Sequence, residues 1–514
     1  MRSFYFLLLF LPFSVSGQLQ FQKIIENAAT PLWTYSFVNT PHNELVFAGK
    51  SIHFPNPLFS DVMMAKTDMS GNLIWMKFFG NTGLELANKI IRTESDEYIM
   101  AGYSSDSSTQ FVFVTKTDSA GNLLWANQFL IDLRCQGNDI VAAKDSGFWV
   151  AGYSVVATSV LNGIVLRLDN SGNLIWAKKI DGNFSQFNKV IPLDNGDVLL
   201  SGNSSDFTAN SKILLVRMSA SGSIIWSKIY GNSTNDIGKE VIELVNGNLM
   251  LIADTQGDIL FTELDANGSV LWAKTYGGTL AENNPHIKAG ANNDYFIAAS
   301  TLSFIFGTLY PDALLMHVDA TGNLLNSFHA GSVDIEFSND LLPSPDGGCY
   351  VAGVTDGFNG YNSIYLLKVD SQFTTGCNQD PTNLSVNSIA LFDSSVTIQT
   401  TSGALQYPRT GMITASGGQN VILCFTTDIS EVSAAQCSVF PNPAQDLINI
   451  QSKIQVPSQS YITLTDLKGR VLSIKPFLNS QESISLLGLS PGVYHLKITS
   501  GIFAEDFKIL KLQE

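Results

Sequence analysis

The sequence predicts an all-β protein: a seven-bladed β-propeller of four-stranded blades, closed by its own N-terminal strand and followed by a small C-terminal β-sandwich. Three observations predict it. The stretch Asp169-Asn-Ser-Gly-Asn-Leu-Ile-Trp176 recurs about every 50 residues, from Asp68 to Trp75, Asp118 to Trp125 and Asp265 to Trp272. Looser copies run from Ser219 to Trp226 and from Asp319 to Asn326. A second marker of small residues recurs seven times, and the runs between turns show strand rather than helical periodicity.

Length and composition are compatible with this. A chain of 514 residues exceeds one ordinary core, and 45% hydrophobic content permits folding. Only 14% of residues are charged, so Asn, Ser, Thr and Gly must supply much of the polar surface. The net charge of -16 argues against a nucleic-acid partner, which needs a basic footprint.

In chain order, residues 1–17 read as a secretory signal. Arg2 is the positive start, Phe4 to Phe13 the apolar stretch, and Val15-Ser16-Gly17 a cleavage site before Gln18. The apolar run is too short for a stable anchor, and no transmembrane helix is expected downstream. Export makes disulfides permissible. Five cysteines are present, and Cys377 is expected to pair with Cys424 or Cys437.

Residues 18–375 hold the repeats. In one unit, Asn188 to Leu193 is a strand, Asp194-Asn-Gly196 a hairpin turn, and Val198 to Gly202 a second strand. Ile213 to Arg217 and Ile224 to Ile229 complete it, giving four strands, as in one propeller blade. The second strand carries the small-residue marker: Ala48-Gly49, Ala101-Gly102, Ala151-Gly152, Ser201-Gly202, Ala253, Ala298-Ala299 and Ala352-Gly353. Glycine there implies close approach of another backbone. Seven second strands but six fourth strands leave one missing. Leu19 to Ile25 aligns with Leu174 to Ile180 and places Phe21 at the tryptophan position, so the N-terminal strand should fill the gap.

The recurring Asp and Gly are turn formers. A calcium loop would need Asp-x-Asp-x-Asp-Gly, which no copy shows. Trp75, Trp125, Trp176, Trp226, Trp272 and Phe21 are read as staples between neighbouring blades. Truncating a buried Trp should cost ~3–5 kcal/mol. Asn326 lacks the aromatic and predicts the weakest joint. The motif resembles the tryptophan docking motif of quinoprotein-like propellers, shortened by one turn residue. In that family it is architectural and implies no quinone.

No nucleophile elbow, His-Glu-x-x-His pair or phosphate loop occurs, so no catalytic residue, cofactor or metal is assigned. His317 stands in a slot held elsewhere by Lys66, Lys116, Arg167, Arg217, Glu263 and Lys368, and is a repeat position. The first strands offer a candidate ligand-binding ring at a channel mouth: Asn88, Asp139, Asn188, Glu240, His286 and Asp340. Capping of the channel is the structural alternative. The loops around Phe54 to Phe59 and Ser303 to Tyr310 are apolar and fall at the same place in their units. Residues 376–437 lose the repeat and read as a Ser/Thr/Asn-rich linker or small β-subdomain.

Residues 438–514 show about seven short strands, with Pro441-Asn442-Pro443, Asp446, Asp466, Gly469-Arg470, Pro491-Gly492-Val-Tyr494, Lys508 and Lys511 as their marked positions. This set resembles the C-terminal sorting domain (type A) of the bacterial type IX secretion system, with Pro491 where the family often has Ala or Ser. The resemblance implies export through the periplasm, outer-membrane passage with the secretion machinery as partner, and release or attachment at the cell surface. Two functions remain open for the repeats. One is a binding or adhesion module for a glycan or protein ligand. The other is an enzyme, either a polysaccharide glycosidase or lyase or a quinoprotein-like oxidoreductase.

Overall fold

The computed structural model describes residues 19–512 except 28–29, 53–58, 82, 107, 158–159, 182–183, 206–209, 232–234, 308, 359, 410–411, 428–436, 454–455, 457–459, 467–470 and 500–503. The expected signal segment, Gly469, Arg470 and most of the first aromatic loop lie outside the described residues. Among the described residues all helices and strands are strands. The chain forms two compact units, one spanning 18–426 and one containing 427–514.

The first unit is built from repeated antiparallel meanders. The first repeat is Leu32–Asn39, Glu44–Ile52, Ser60–Asp68 and Leu73–Gly80, each strand paired with the next. Five more four-stranded repeats follow, ending at Ala330. Single parallel bridges, Ser60 with Leu84 and Gln110 with Arg134, join the first three repeats into one continuous sheet. The last repeat supplies three strands, Glu336–Pro343, Cys349–Thr355 and Ser363–Val369. Leu19–Glu26 pairs antiparallel with the third of these and sets Phe21 opposite Lys368. Trp176 lies opposite Arg167 in the same way.

Every first strand carries a bulge at one place. Its extra residue is Tyr35, Asn88, Asn138, Asn188, Lys239 or Asn339, and in the sixth repeat the two residues Asn284 and Pro285. The bulge explains the small-residue marker. A Cβ on Gly152 would stand 1.9 Å from the Gln136 carbonyl oxygen, and one on Gly49 would stand 1.7 Å from that of Trp33. The crowding backbone belongs to the first strand of the same repeat.

The joints between repeats follow one rule. Each motif aspartate organises its own turn: Asp169 Oδ1 accepts the Ser171 and Asn173 N–H groups, both at 2.8 Å. The turn glycine lies beneath the tryptophan of the preceding repeat. A Cβ on Gly121 would meet Trp75 at 2.8 Å, one on Gly172 would meet Trp125 at 2.5 Å, and one on Gly322 would meet Trp272 at 2.9 Å. Trp176 and Trp226 stand likewise over Gly222 and Gly268, and Phe21 over Gly71 of the first repeat. Two residues after the aromatic, Lys77 donates to the Ala120 carbonyl and Asn122 Oδ1, and Lys23 donates to the Ser70 carbonyl and Asn72 Oδ1. The five tryptophans are half-buried rather than enclosed, whereas Phe21 is fully buried. The full burial assumed for these tryptophans overstates their individual cost.

The joint after Asn326 is not the gap that the sequence suggests. Phe373 occupies the seventh repeat's turn-glycine position, at φ 60°, and reaches back into the sixth. Its ring stacks on Phe296 at 6.2 Å and on His317 at 5.6 Å. The aromatic has moved to the other side of the joint.

Residues 379–427 correct the expectation of a linker or subdomain. They run as a belt of short strands along the outer edges of the repeats, in reverse order. Gln379–Pro381 pairs with the sixth repeat, Ser385–Ser388 with the fifth, Asp393–Ser395 with the fourth and Gln399–Ser402 with the third. Leu405–Pro408 and Ile413–Ser416 pair with the second and first, and Gln419–Thr427 with the N-terminal strand. A disulfide joins Cys377 to Cys424 across 47 residues, at the two ends of this belt. Of the two pairings expected for Cys377 this is the first, and Cys437 is a buried thiol.

The second unit has a three-stranded sheet, with Leu447–Ser452 between Cys437–Phe440 and Gln481–Ser485, and a four-stranded sheet. Ile448, Ile450, Ile462, Leu464, Ile484, Leu496 and Ile498 form one core between them, with alternate residues facing out.

Candidate functional site

The bulges point seven first strands at one cavity of about 220 Å³. Tyr35, Asn88, Asn138, Asn188, Lys239, Asn284 and Asn339 line it, one from each repeat, with Glu240 and His286. The asparagines are tied in a common way. Asn88 Nδ2 donates to the Gly137 carbonyl at 2.8 Å, and Asn138 Nδ2 to that of Phe187 at 2.7 Å. Asn188 Nδ2 donates to the Gly238 carbonyl and Asn339 Nδ2 to the Thr34 carbonyl, both at 2.8 Å. Each amide therefore satisfies a carbonyl that the next repeat's bulge leaves out of its ladder.

One residue further along lies a second ring: Ser36, Lys89, Asp139, Lys189, Glu240, His286 and Asp340. Each is paired across its sheet, mostly with the small residue of the second-strand marker. The signs alternate: cation at 89, anion at 139, cation at 189, anion at 240, imidazole at 286, anion at 340. An odd ring cannot alternate throughout, because one position must border a like charge. The uncharged Ser36 holds that position, and its hydroxyl donates to Asp340 Oδ2 at 2.8 Å. Lys89 reaches past it to Asp340 at 2.9 Å.

The serine and the carboxylates of this ring are buried, and its charges are largely neutralised. Lys189 lies 3.7 Å from Asp139 and 3.5 Å from Glu240. Lys288, one turn of the pleat further on, lies 3.3 Å from Glu240 and 3.5 Å from Asp340. His286 Nδ1 is 3.3 Å from Glu240 Oε1. Burial opposes charge on Asp340, yet Lys89 and Lys288 hold its carboxyl well below its usual range. Burial likewise opposes charge on Glu240, and Lys189 and Lys288 outweigh it. Asp139 goes the other way: burial raises it despite Lys189 and Lys89, leaving it the least compensated carboxylate of the ring.

Of the residues nominated from sequence, Asn88, Asn188, Glu240 and His286 line the cavity. Asp139 and Asp340 are buried behind it, only 1% and 2% exposed, and act on their neighbours rather than on the space. Sequence reading missed Tyr35, Lys239 and Asn284, and took Asp139 and Asp340 as the ring residues in place of their neighbours Asn138 and Asn339. The signal was present in the asparagine that precedes each carboxylate, but the bulge decides which of the two turns inward. His317 keeps its structural slot, bonded to Asp294 at 2.8 Å, as Lys66 is to Glu44 and Lys368 to Asp346. In the second apolar loop Phe306 packs on His329, with ring centroids 4.5 Å apart, while Tyr310 is 43% exposed.

In the second unit, Pro441-Asn442-Pro443 lies against the last strand. Asn442 Nδ2 donates to the Lys508 carbonyl at 2.6 Å, and its Oδ1 accepts the Leu510 N–H at 2.9 Å. Lys511 Nζ donates to the Gln445 carbonyl and lies 3.5 Å from Asp446. Tyr494 donates to the Ser490 carbonyl, just before Pro491 and Gly492. Asp466 ends the strand Tyr461–Thr465.

These features define the chain as an all-β repeat protein that carries a separate C-terminal delivery module. That module is of a particular kind: residues 438–511 match the secretion system C-terminal sorting domain family, which serves the type IX system. The match implies export, delivery to the cell surface or medium, and interaction with the secretion machinery. Among the described residues no helix is long and apolar enough to cross a membrane. A comparison with curated proteins finds no match. Among solved structures, Sqt1 from Chaetomium thermophilum is 12% identical, with 67% of this chain and 99% of that one covered at a TM-score of 0.36. A Bacteroides thetaiotaomicron protein of unknown function is 9% identical over 67% and 98%, at 0.29. The V. cholerae biofilm matrix protein Bap1 is 9% identical over 69% and 82%, at 0.20.

Proposed function

We propose that this is an exported, non-enzymatic recognition protein: a closed seven-bladed β-propeller that holds a small ligand in its axial cavity. In this reading residues 1–17 direct export to the periplasm and residues 438–514 direct passage to the surface. Closure is supported by the contacts of the seventh repeat with the first, Phe21 over Gly71 and Asn339 on the Thr34 carbonyl.

The observation that carries the binding role is broken symmetry at the cavity. An axis that only needed capping would be served by one residue type repeated. Asparagine does this at four positions, but Tyr35, Lys239 and the widened Asn284-Pro285 bulge depart from it. Bulges that re-aim side chains are a common device beside binding sites. A chemically diverse fragment library, screened by NMR on the intact protein, should give hits that perturb Tyr35, Lys239 and Asn284 amides. A library with no hit at those residues would sink the binding role. For export, removing residues 438–514 should trap the protein in the periplasm, and normal surface delivery would refute that role.

A further inference from the structure

We infer that the ligand of the axial cavity is a neutral, hydroxyl-rich molecule the size of one sugar ring; this rests on reading the cavity as a binding site. Size comes first. The cavity of about 220 Å³ lies below the ~300–1,000 Å³ of sites for drug-sized ligands. It has room for a single hexose unit, free or at the end of a chain that leaves through the mouth.

Charge comes next. Both basic side chains that line the cavity already have a carboxylate neighbour. Lys239 lies 3.1 Å from Asp254, and His286 lies 3.3 Å from Glu240. The lining carboxylate, Glu240, is itself shared among Lys189, Lys288 and His286. An ionic ligand would exchange its hydration for a site that offers no uncompensated counter-charge, which is unfavourable.

Hydrogen-bonding character completes the argument. Asn88, Asn188 and Asn339 spend an N–H on a neighbour's backbone carbonyl, so their amide orientation is fixed by that bond. What each has left is its carbonyl oxygen, an acceptor with two lone pairs, and the second N–H of the amide. A set of acceptors spaced around a closed rim suits a ligand with several O–H donors. Tyr35 and Lys239 add donors, and burial raises the Tyr35 phenol still further above its ordinary range. Ligands with both donors and acceptors on every side satisfy this lining; purely apolar ones leave its amides unpaired.

The test uses the intact protein and defined probes. Methyl α-D-mannoside, methyl β-D-glucoside and methyl β-D-galactoside are titrated by calorimetry and saturation-transfer NMR, beside glucose 6-phosphate, glutamate and spermidine. At least one neutral hexoside should bind, and Tyr35→Phe, which keeps the ring, should weaken it about three- to ten-fold. Binding by a charged probe alone would overturn the ligand class and leave the site standing. Hexoside binding unmoved by both Tyr35→Phe and Lys239→Gln would place the sugar elsewhere and overturn the inference. If neither these probes nor the fragment library bound, site and class would fall together.

Discussion

Phe373 packs edge-on against Phe328, their ring centroids 5.2 Å apart and their planes at 66°. This contact replaces the tryptophan-over-glycine joint used elsewhere. Phe328 stands where most other repeats have the docking lysine and the second has Asn127, Asn326 where five have tryptophan, and Phe373 where the others have glycine. Phe373→Ala should cost ~3 kcal/mol, read from urea unfolding midpoints. Phe373→Gly should be the milder variant by ~1 kcal/mol, because it removes the side chain from a left-handed backbone. Combining Phe373→Gly with Asn326→Trp should recover part of the loss.

At the regular joints the glycine is constrained twice. Gly172 has φ 78°, and a Cβ there would meet Trp125 at 2.5 Å. Gly172→Ala should destabilise by ~2–4 kcal/mol. Since Trp125 is half-buried, Trp125→Ala should cost less than the ~3–5 kcal/mol of an enclosed aromatic. The double variant should be less damaging than the sum, because the clash vanishes with the indole.

The alternating ring predicts a ranking. Lys189→Met strips a cation from between Asp139 and Glu240 and should cost ~3–5 kcal/mol. Asp139→Asn should cost less, because burial already disfavours its charge. If Asp139→Asn proved the worse of the two in thermal unfolding, the neutralisation argument would fail.

Glu336 gives a pH dependence. Its carboxyl is buried, accepts from Thr355 Oγ1 at 2.6 Å and from Ser332 N and Oγ at 2.8 Å, and faces the field of Asp312. Burial raises its pKa from 4.5 to about 7. The folded protein therefore favours the protonated acid. The stability it contributes is full below pH about 4.5 and is lost as pH rises through about 7, by at most on the order of 3 kcal/mol. Glu336→Gln should flatten that decline. An unchanged slope of stability between pH 5 and 8 in the variant would contradict it.

Opening the Cys377–Cys424 bond by double replacement with serine should cost ~2–4 kcal/mol. Hydrogen exchange should quicken first in 419–427, the belt's end on the N-terminal strand.

The sequence was most readable where one residue type repeats for one reason. The turn from Asp169 to Trp176 and the alignment of Phe21 with tryptophan are of this sort, because turn chemistry and aromatic docking act over a few residues. The cavity was half-readable. A bulge shifts register by one residue, and that shift exchanges inward Asn138 for buried Asp139; the Asn-Asp pair marks the place, but not which of the two turns inward. The substitution at Phe373 was hidden because it compensates Asn326 from the next repeat. The belt was least readable. Its strands span three or four residues in most places, too short for a period, and lie on solvent-facing edges where no apolar alternation is required.

Hoops hold a cask by tension rather than by adhesion to any one stave. The belt stands to the repeats in that relation: it touches each sheet in turn, and Cys377 and Cys424 make it a continuous covalent loop. A repeat that swings outward must then lengthen a loop whose ends cannot separate, so the strain is passed on to every other repeat. Opening at one joint is thereby resisted through the whole length of that loop as well as at the joint itself.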